Sequence, residues 1–422
     1  MLSSLLLFVS LSASADALDR TALRAELSRL EATVAREPRK AEGWNKLAVA
    51  YRRLARWTGS HEAEEKAWNA VQRALAAEPQ NAESWALKGW VQSGRHDFEG
   101  AVVSAQRAIA RQPDSAWNYG VLADAYTELG RYPEAVKAVG EMMKRRPGVG
   151  AYSRAAHLRA LHGDRDGAVS LMKLAVEASS PSDPEGLAWC QVMLGREFQA
   201  LGKQAEAQAQ YQRALSTVSD YHLALFHLAE SQAASFDYQA ALETAHRLQR
   251  HSPSVALSAL VGELHFAMGR RSEAESAFAE VDRVAAFADP SKAEPRWLAR
   301  FYADRGRNLE GAVSLVRDEL KTHQDIETWD GLAWALYRKG ETKEALLAAK
   351  RATALGTVSA RLLLHHGLIA MASGRVDEGR RGIERALALG DLWPSERAHG
   401  LEALRSPGPS TASRGSGGPN RK

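Results

Sequence analysis

The chain has 422 residues, 45% hydrophobic and 25% charged, which is the composition of a folded protein with a sizeable core. Its net charge is +4, but Arg405, Arg414, Arg421 and Lys422 stand in a tail without acidic residues and account for all of it. The rest of the chain is neutral and offers phosphate no overall basic face, so we expect no nucleic-acid partner, a local basic stripe being the alternative.

Residues 1–15, MLSSLLLFVSLSASA, are predicted to be a signal peptide. An apolar run at 5–9 is followed by the small-x-small site Ala13-Ser14-Ala15, and the stretch is shorter than the ~20 apolar residues that a spanning helix needs. We therefore expect an exported protein, periplasmic or secreted. Because no Lys or Arg precedes the apolar run, the alternative is a frayed helix on a cytoplasmic protein.

A capping helix is predicted next, within residues 16–40. Leu23, Leu27 and Leu30 recur at helical spacing and form one apolar face. This face predicts that the helix covers the start of whatever structure follows it.

A period near 34 residues governs most of the remaining chain. Pro79, Pro113 and Pro147 are each 34 residues apart. Small residues continue the period, at Ala67, Ala101, Ala135, Ala168, Ala207, Ala241, Ala274, Ala312, Ala345 and Gly379. Two longer steps coincide with Pro-containing insertions at 179–185 and 285–295, and the first unit carries an insertion at 52–66 that includes the turn-rich residues 57–60.

Most periods contain two helical stripes separated by a glycine. The third unit has a first stripe, a turn, a second stripe and a closing residue, at Tyr119, Leu122, Ala123 and Tyr126, then Gly130, then Ala135, Val139 and Met142, then Pro147. The first unit opens in the same way with Trp44, Leu47, Ala48 and Tyr51, and a late unit with Trp329, Leu332, Ala333 and Leu336.

This pattern resembles the tetratricopeptide repeat, which reads W-x2-L-G/A-x2-Y followed by Gly, Ala, an apolar residue, Ala and Pro. The resemblance implies an all-α fold, a right-handed α-solenoid (superhelix) of about ten helix-turn-helix units over residues 41–391. A C-terminal capping helix is expected at 392–404, and the Gly-, Ser- and Pro-rich basic tail at 405–422 is expected to be disordered.

No motif in the sequence indicates catalysis, so we expect that the protein is not an enzyme. We also expect no cofactor and no metal. The spacing of Gly374 and Gly379 is that of a phosphate loop, but Arg380 replaces its lysine and no strand precedes it. Adjacent histidines such as His365 and His366 point apart on a helix, and Cys190, the only cysteine, is predicted to be buried.

In this family the first helices of the units line a concave groove, and their non-core positions contact the ligand. Those positions hold Asn45, Lys46, Arg52 and Arg53 of unit 1, Trp90 of unit 2, Trp117 and Asp124 of unit 3, Arg154 and His157 of unit 4, Arg196 of unit 5, His227 and Glu230 of unit 6, Glu263 of unit 7, and Trp334 and Tyr337 of unit 9. The carboxylate clamp of chaperone-binding relatives is not reproduced, because Asn45 and Val49 stand where its first Lys and Asn belong.

The resulting hypothesis is a scaffold or adaptor that binds a protein or extended peptide in this groove. Two alternatives stay open. One is a regulatory or assembly subunit of an envelope enzyme complex, and the other is a self-assembling structural array. The sequence gives neither the partner nor the oligomeric state.

Overall fold

A computed structural model of the protein describes residues 13–58, 61–180, 183–250, 254–287 and 295–405. Within these ranges the chain forms 22 helices and no strand. The helices are α1 (Ala13–Arg36), α2 (Ala41–Thr58), α3 (His61–Ala77), α4 (Ala82–Gly94), α5 (Phe98–Arg111), α6 (Ala116–Glu128), α7 (Tyr132–Arg145), α8 (Val149–Leu161), α9 (Arg165–Glu177), α10 (Pro184–Ala200), α11 (Gln204–Thr217), α12 (His222–Ala234), α13 (Tyr238–Gln249), α14 (Val255–Ala267), α15 (Arg271–Phe287), α16 (Pro295–Arg305), α17 (Leu309–Glu319), α18 (Ile326–Lys339), α19 (Thr342–Ala352), α20 (Ala360–Ala372), α21 (Val376–Leu389) and α22 (Pro394–Arg405).

Helices α2 to α21 form ten consecutive pairs, which we number as units 1 (α2–α3) to 10 (α20–α21). The two helices of each pair pack more extensively against each other than against any other helix. The small residues of the sequence period lie at these crossings. The nine alanines have no exposed surface, and Gly379 is also buried, next to Gly367 and Met371.

Glycines and prolines of the repeat pattern lie just after the ends of helices. Gly130 has a φ of 67°, a left-handed conformation that releases the chain from α6 into the turn before α7. Pro79, Pro113 and Pro147 each stand two residues after the end of a second helix, where a missing N–H costs no helical hydrogen bond. The aromatic residue that opens a unit reaches back across this point: the Trp85 indole donates to the Pro79 carbonyl at 2.9 Å.

The array has a helix at each end. Leu23, Leu27, Leu30 and Val34 of α1 are buried in one cluster with α2 and α3, and α22 follows unit 10. Residues 1–12, most of the predicted signal peptide, lie outside the described residues, as do residues 406–422, nearly all of the predicted disordered tail.

The three insertions lengthen helices or separate units. In unit 1 the additional residues extend α2 to 18 residues and α3 to 17, against 13 and 14 in α6 and α7, so the piece expected to be turn-rich is helical as far as Thr58. Residues 59–60 lie outside the described residues. The second insertion precedes the long helix α10, and the third separates α15 from α16.

The superhelix closes on itself, because the turns of units 3, 4 and 5 contact the segments that follow units 8, 9 and 10. We call this contact the seam. The Gln324 N–H donates to the Glu128 carbonyl at 2.9 Å, and the Arg165 guanidinium donates to the Val358 carbonyl at 2.8 and 3.0 Å. Residues almost 200 positions apart in sequence therefore stabilise one another directly.

Glycines allow the close approach at the seam. A Cβ atom at Gly130, Gly163 or Gly202 would lie 2.5, 2.6 or 2.8 Å from the carbonyl oxygen of Gln324, Gly356 or Leu389, respectively. Distances this short do not occur for real Cβ atoms, so only glycine fits at these three turns. The same residues that end the first helices also make room for the next superhelical turn.

Candidate binding groove

The first helices of the units form the inner, concave side of the superhelix. From α2 to α20, each first helix packs directly against the first helix of the next unit, while second helices of neighbouring units pack against each other far less. An array curves toward the side on which its helices are closest. The groove candidates, all on first helices, are therefore on the elements that line the inside.

In unit 1, two of the predicted groove residues are buried by their neighbours. The Ser84 hydroxyl donates to the Asn45 side chain at 2.8 Å, and Asn45 is 1% exposed. Arg52 forms a 2.8 Å ion pair with Glu64 and lies 5.0 Å from the centre of the Trp90 ring. These two side chains join α2 to α3 and α4.

The accessible groove residues of units 1 to 3 are two cations and two tryptophans. Lys46 is exposed beside Glu42, and Arg53 pairs with Glu26 of α1 at 3.1 Å. Trp90 and Trp117 meet edge to face, with 6.4 Å between ring centroids. Trp117 is 39% exposed. The structure therefore brings Trp90 and Trp117 together, with the buried Arg52 packed against Trp90.

Units 3 and 4 enclose a small polar pocket. The Arg154 guanidinium donates to both oxygens of Asp124, at 2.8 and 2.6 Å. His157 and Glu128 line the same pocket, which has about 320 Å³ of empty space, part of it open to solvent. Burial, reinforced by the charge of Arg196, lowers the pKa of His157 to about 3, so its ring is neutral at pH 7.

Glu128 is another ionisable group in this pocket. Burial, with nearby Asp325 adding to it, raises the pKa of Glu128 well above its usual range. Glu128 Oε2 and His157 Nδ1 have no hydrogen-bond partner among the described residues, so they can accept or donate to a water molecule or a ligand. No cluster of three or more metal-ligating side chains occurs in the described part of the chain.

His227 and Glu230 of unit 6 form a buried pair whose side chains bind to other groups of the chain. His227 Nδ1 lies 2.9 Å from Glu230 Oε2, and Glu230 Oε1 accepts a hydrogen bond from the Trp393 indole at 3.0 Å. Arg196, half-buried on α10, contributes a positive charge nearby that helps to lower the pKa of His227, although burial is the main cause.

The two aromatic candidates of unit 9 lie inside the protein. Trp334 is 2% exposed, stacks on His365 with centroids 4.2 Å apart, and donates to Asp304 at 2.7 Å. Tyr337 is half-buried against Trp334. Contact of any of the groove candidates with a partner stays a prediction.

One feature of the groove was not anticipated from the sequence: residues 391–405, the C-terminal segment, occupy it. Helix α22 packs against α14 and α20 as well as α21. Trp393 stacks on Trp297 of α16 with centroids 5.5 Å apart, and Glu396 is 1% exposed. The only sequence signal was a tryptophan directly before Pro394, at the start of the predicted capping helix.

Comparison with known proteins agrees with this architecture. Residues 93–161 and 192–256 each match a family model described as tetratricopeptide repeat. The chain matches no curated protein. No helix among the described residues is long and apolar enough to cross a membrane.

The chain is similar to several solved structures. The human IFIT1 dimer with PPP-AAAA has a TM-score of 0.51 at 17% identity, over 75% of this chain and 73% of that chain. The human IFIT1 dimer with m7Gppp-AAAA gives 0.50 at 17% identity, over 75% and 72%. TTC0263, a thermophilic TPR protein of Thermus thermophilus, is 23% identical over 42% of this chain and 91% of that chain, with a TM-score of 0.37.

At these identities the solved structures speak for the fold alone. The repeat models match two separate stretches of the array, and the helix pairs, the crossing alanines and the turn glycines continue the same pattern through the other units. The chain therefore contains tetratricopeptide repeats, and its fold is a repeating helical solenoid.

Proposed function

We propose that this protein is a non-catalytic scaffold that binds a protein or extended peptide partner on the concave face of units 1 to 3, outside the cytoplasm. Tetratricopeptide repeats are typical of protein-interaction scaffolds. The observation that carries the proposal is the Trp90–Trp117 pair. Trp117, 39% exposed, is one of the exposed large apolar side chains.

The surroundings of the pair favour a binding surface. Tryptophan and arginine are enriched among the residues that dominate binding energy at interfaces. The Arg52 guanidinium packs against the Trp90 ring, so the Trp90–Trp117 pair is ordered before a partner binds. The concave face of units 1 to 3 differs from that of the later units. No helix of units 7 to 10 packs extensively against α2, α4 or α6, whereas α22 packs against α14.

Capture from an envelope extract tests the scaffold. The wild-type chain should retain a specific partner that the Trp117→Ala variant loses, because truncation removes the exposed anchor. Leu347→Ala is the matched control, since Leu347 is 64% exposed on the second helix of unit 9, away from the groove. Recovery of the same partners by wild type and Trp117→Ala would contradict the proposal.

Export is tested separately by sequencing the N-terminus of the mature protein from its native host. Cleavage after Ala15 gives a chain that begins at Asp16. A mature chain that retains Leu2 or Ser3 would show that the N-terminal segment is not a cleaved signal peptide.

A further inference from the structure

The C-terminal segment is held unlike an ordinary core helix. Of the twelve residues of α22 only Glu396 and Gly400 are buried, and Leu401 is 37% exposed. A helix kept in place by the hydrophobic effect buries an apolar stripe along its whole length. Here the buried contacts are concentrated at the N-terminal end, where Leu392 and Trp393 are 4% and 5% exposed.

Glu396 is the polar anchor of the segment. Its Oε1 accepts hydrogen bonds from Arg300 of α16 at 2.9 Å and from Arg361 of α20 at 2.7 Å. Its Oε2 accepts from the Trp393 N–H at 2.8 Å, which caps the start of α22. One carboxylate therefore joins two units of the array and also fixes the helix end that presents it.

Trp393 is the aromatic anchor. Its ring stacks on Trp297 at a centroid distance of 5.5 Å, and the Arg300 guanidinium lies 4.3 Å from the Trp393 ring and 4.9 Å from the Trp297 ring. The indole N–H donates to Glu230 of α12 at 3.0 Å. Both the ring and the N–H of the indole thus have partners from the groove.

The pocket is assembled from separate units. Glu263 of α14 accepts the Ser395 N–H at 3.1 Å, so units 6, 7, 8 and 10 all contribute to it. Without the segment, Arg300 and Arg361 would both lose the carboxylate that they bind. The groove therefore presents two guanidinium groups that match a carboxylate on a docked helix.

We propose that the groove of units 6 to 10 is a recognition site for a helical segment carrying a tryptophan and, three residues later, a glutamate. Residues 391–405 occupy the site in cis, and a partner segment of the same chemistry enters by displacing them. The site is distinct from the Trp90–Trp117 surface, so either proposal can fail without the other.

The test uses the full-length chain with Trp393→Ala and Glu396→Gln, which weakens the segment in cis. The probe is a fluorescein-labelled peptide of residues 391–405, DLWPSERAHGLEALR. In fluorescence anisotropy the variant should bind the peptide at least about tenfold more tightly than wild type, because the apparent Kd rises as the open fraction falls. Adding Arg361→Gln to the variant should abolish the gain.

Two controls make the result specific. A chain with Leu401→Ala should bind the peptide as weakly as wild type, since Leu401 makes no part of the pocket. A peptide carrying the same two substitutions should bind neither chain.

If the double variant loses its helical circular-dichroism signal, the single variant Glu396→Gln, which keeps the side-chain size, is used in its place.

The proposal is overturned if the folded variant binds the peptide no better than wild type. It is equally overturned if the variant binds the unmodified and the substituted peptide with the same affinity. The groove would then not recognise the Trp and Glu side chains.

Discussion

Ionisable side chains are unusually frequent inside this superhelix, and most are matched with an opposite charge. Arg165 and Glu197 illustrate the arrangement: their side chains are 7% and 6% exposed and the ion-pair distance is 2.8 Å. Such a pair adds little net stability, because desolvation offsets the attraction, but loss of one partner leaves a buried charge. The pairs therefore specify how units approach one another more than they strengthen the fold.

Glu263 departs from this arrangement and gives a pH-dependent prediction. It is 3% exposed, and burial raises its pKa to about 7, against about 4.5 in the unfolded chain. Between these values the folded chain holds a proton that the unfolded chain has lost, so the stabilising contribution falls as pH rises from 4.5 to 7. Glu263→Gln stays neutral, and its amide oxygen can still accept the Ser395 N–H. We expect the variant to match wild type near pH 4.5 and to exceed it by about 2–3 kcal/mol at pH 8.

Urea unfolding at the two pH values measures this difference. Glu310→Gln serves as the control, because the Glu310 side chain is 78% exposed in unit 8 and its removal should leave the pH dependence unchanged. Parallel pH profiles for wild type and Glu263→Gln would show that burial does not raise the Glu263 pKa.

At the scale of elements, the helix pairs could be predicted because the local sequence determines them. The contacts that depend on the curvature of the superhelix could not be predicted. The alanines at the helix crossings recur every 33 or 34 residues in most units, as do turns like the one at Gly130. This periodicity is enough to predict where the helix pairs lie. The burial of Asn45 and Trp334 depends on side chains of neighbouring helices, which no local pattern reveals.

The same reasoning explains the candidate groove. The sequence predicted a set of groove positions, of which Trp90 and Trp117 lie together and Asn45 and Trp334 are buried. It did not reveal that Trp393 and Glu396 fill the groove of the later units, because their partners lie 35 to 163 residues away in sequence. Likewise, nothing in the composition of residues 52–66 distinguished longer helices from an inserted loop.

At the scale of the whole molecule, the seam predicts unequal costs for two similar glycine substitutions. Gly130 and Gly374 are both turn glycines with positive φ, 67° and 81°. An alanine at Gly374 would meet no atom within 4 Å, so Gly374→Ala should cost only the left-handed backbone strain of about 1–2 kcal/mol. Gly130→Ala should cost more, because its Cβ would also press on the Gln324 carbonyl.

Chemical denaturation measures the two costs, and hydrogen exchange locates the damage. The Gln324 amide, which donates to Glu128 across the seam, should exchange faster in Gly130→Ala and unchanged in Gly374→Ala. Equal destabilisation of the two variants with equal protection of Gln324 would mean that the seam does not form.

The seam also fixes how many repeats can lie between the units that face each other. Arrays of this type tolerate gain or loss of single units when each unit contacts only its neighbours. Here the turns of units 3, 4 and 5 face the segments after units 8, 9 and 10, so the number of units between facing partners is a dimension of the structure. A duplication within units 6 or 7 would displace all three glycine–carbonyl contacts at once, whereas one added before unit 3 would leave them aligned.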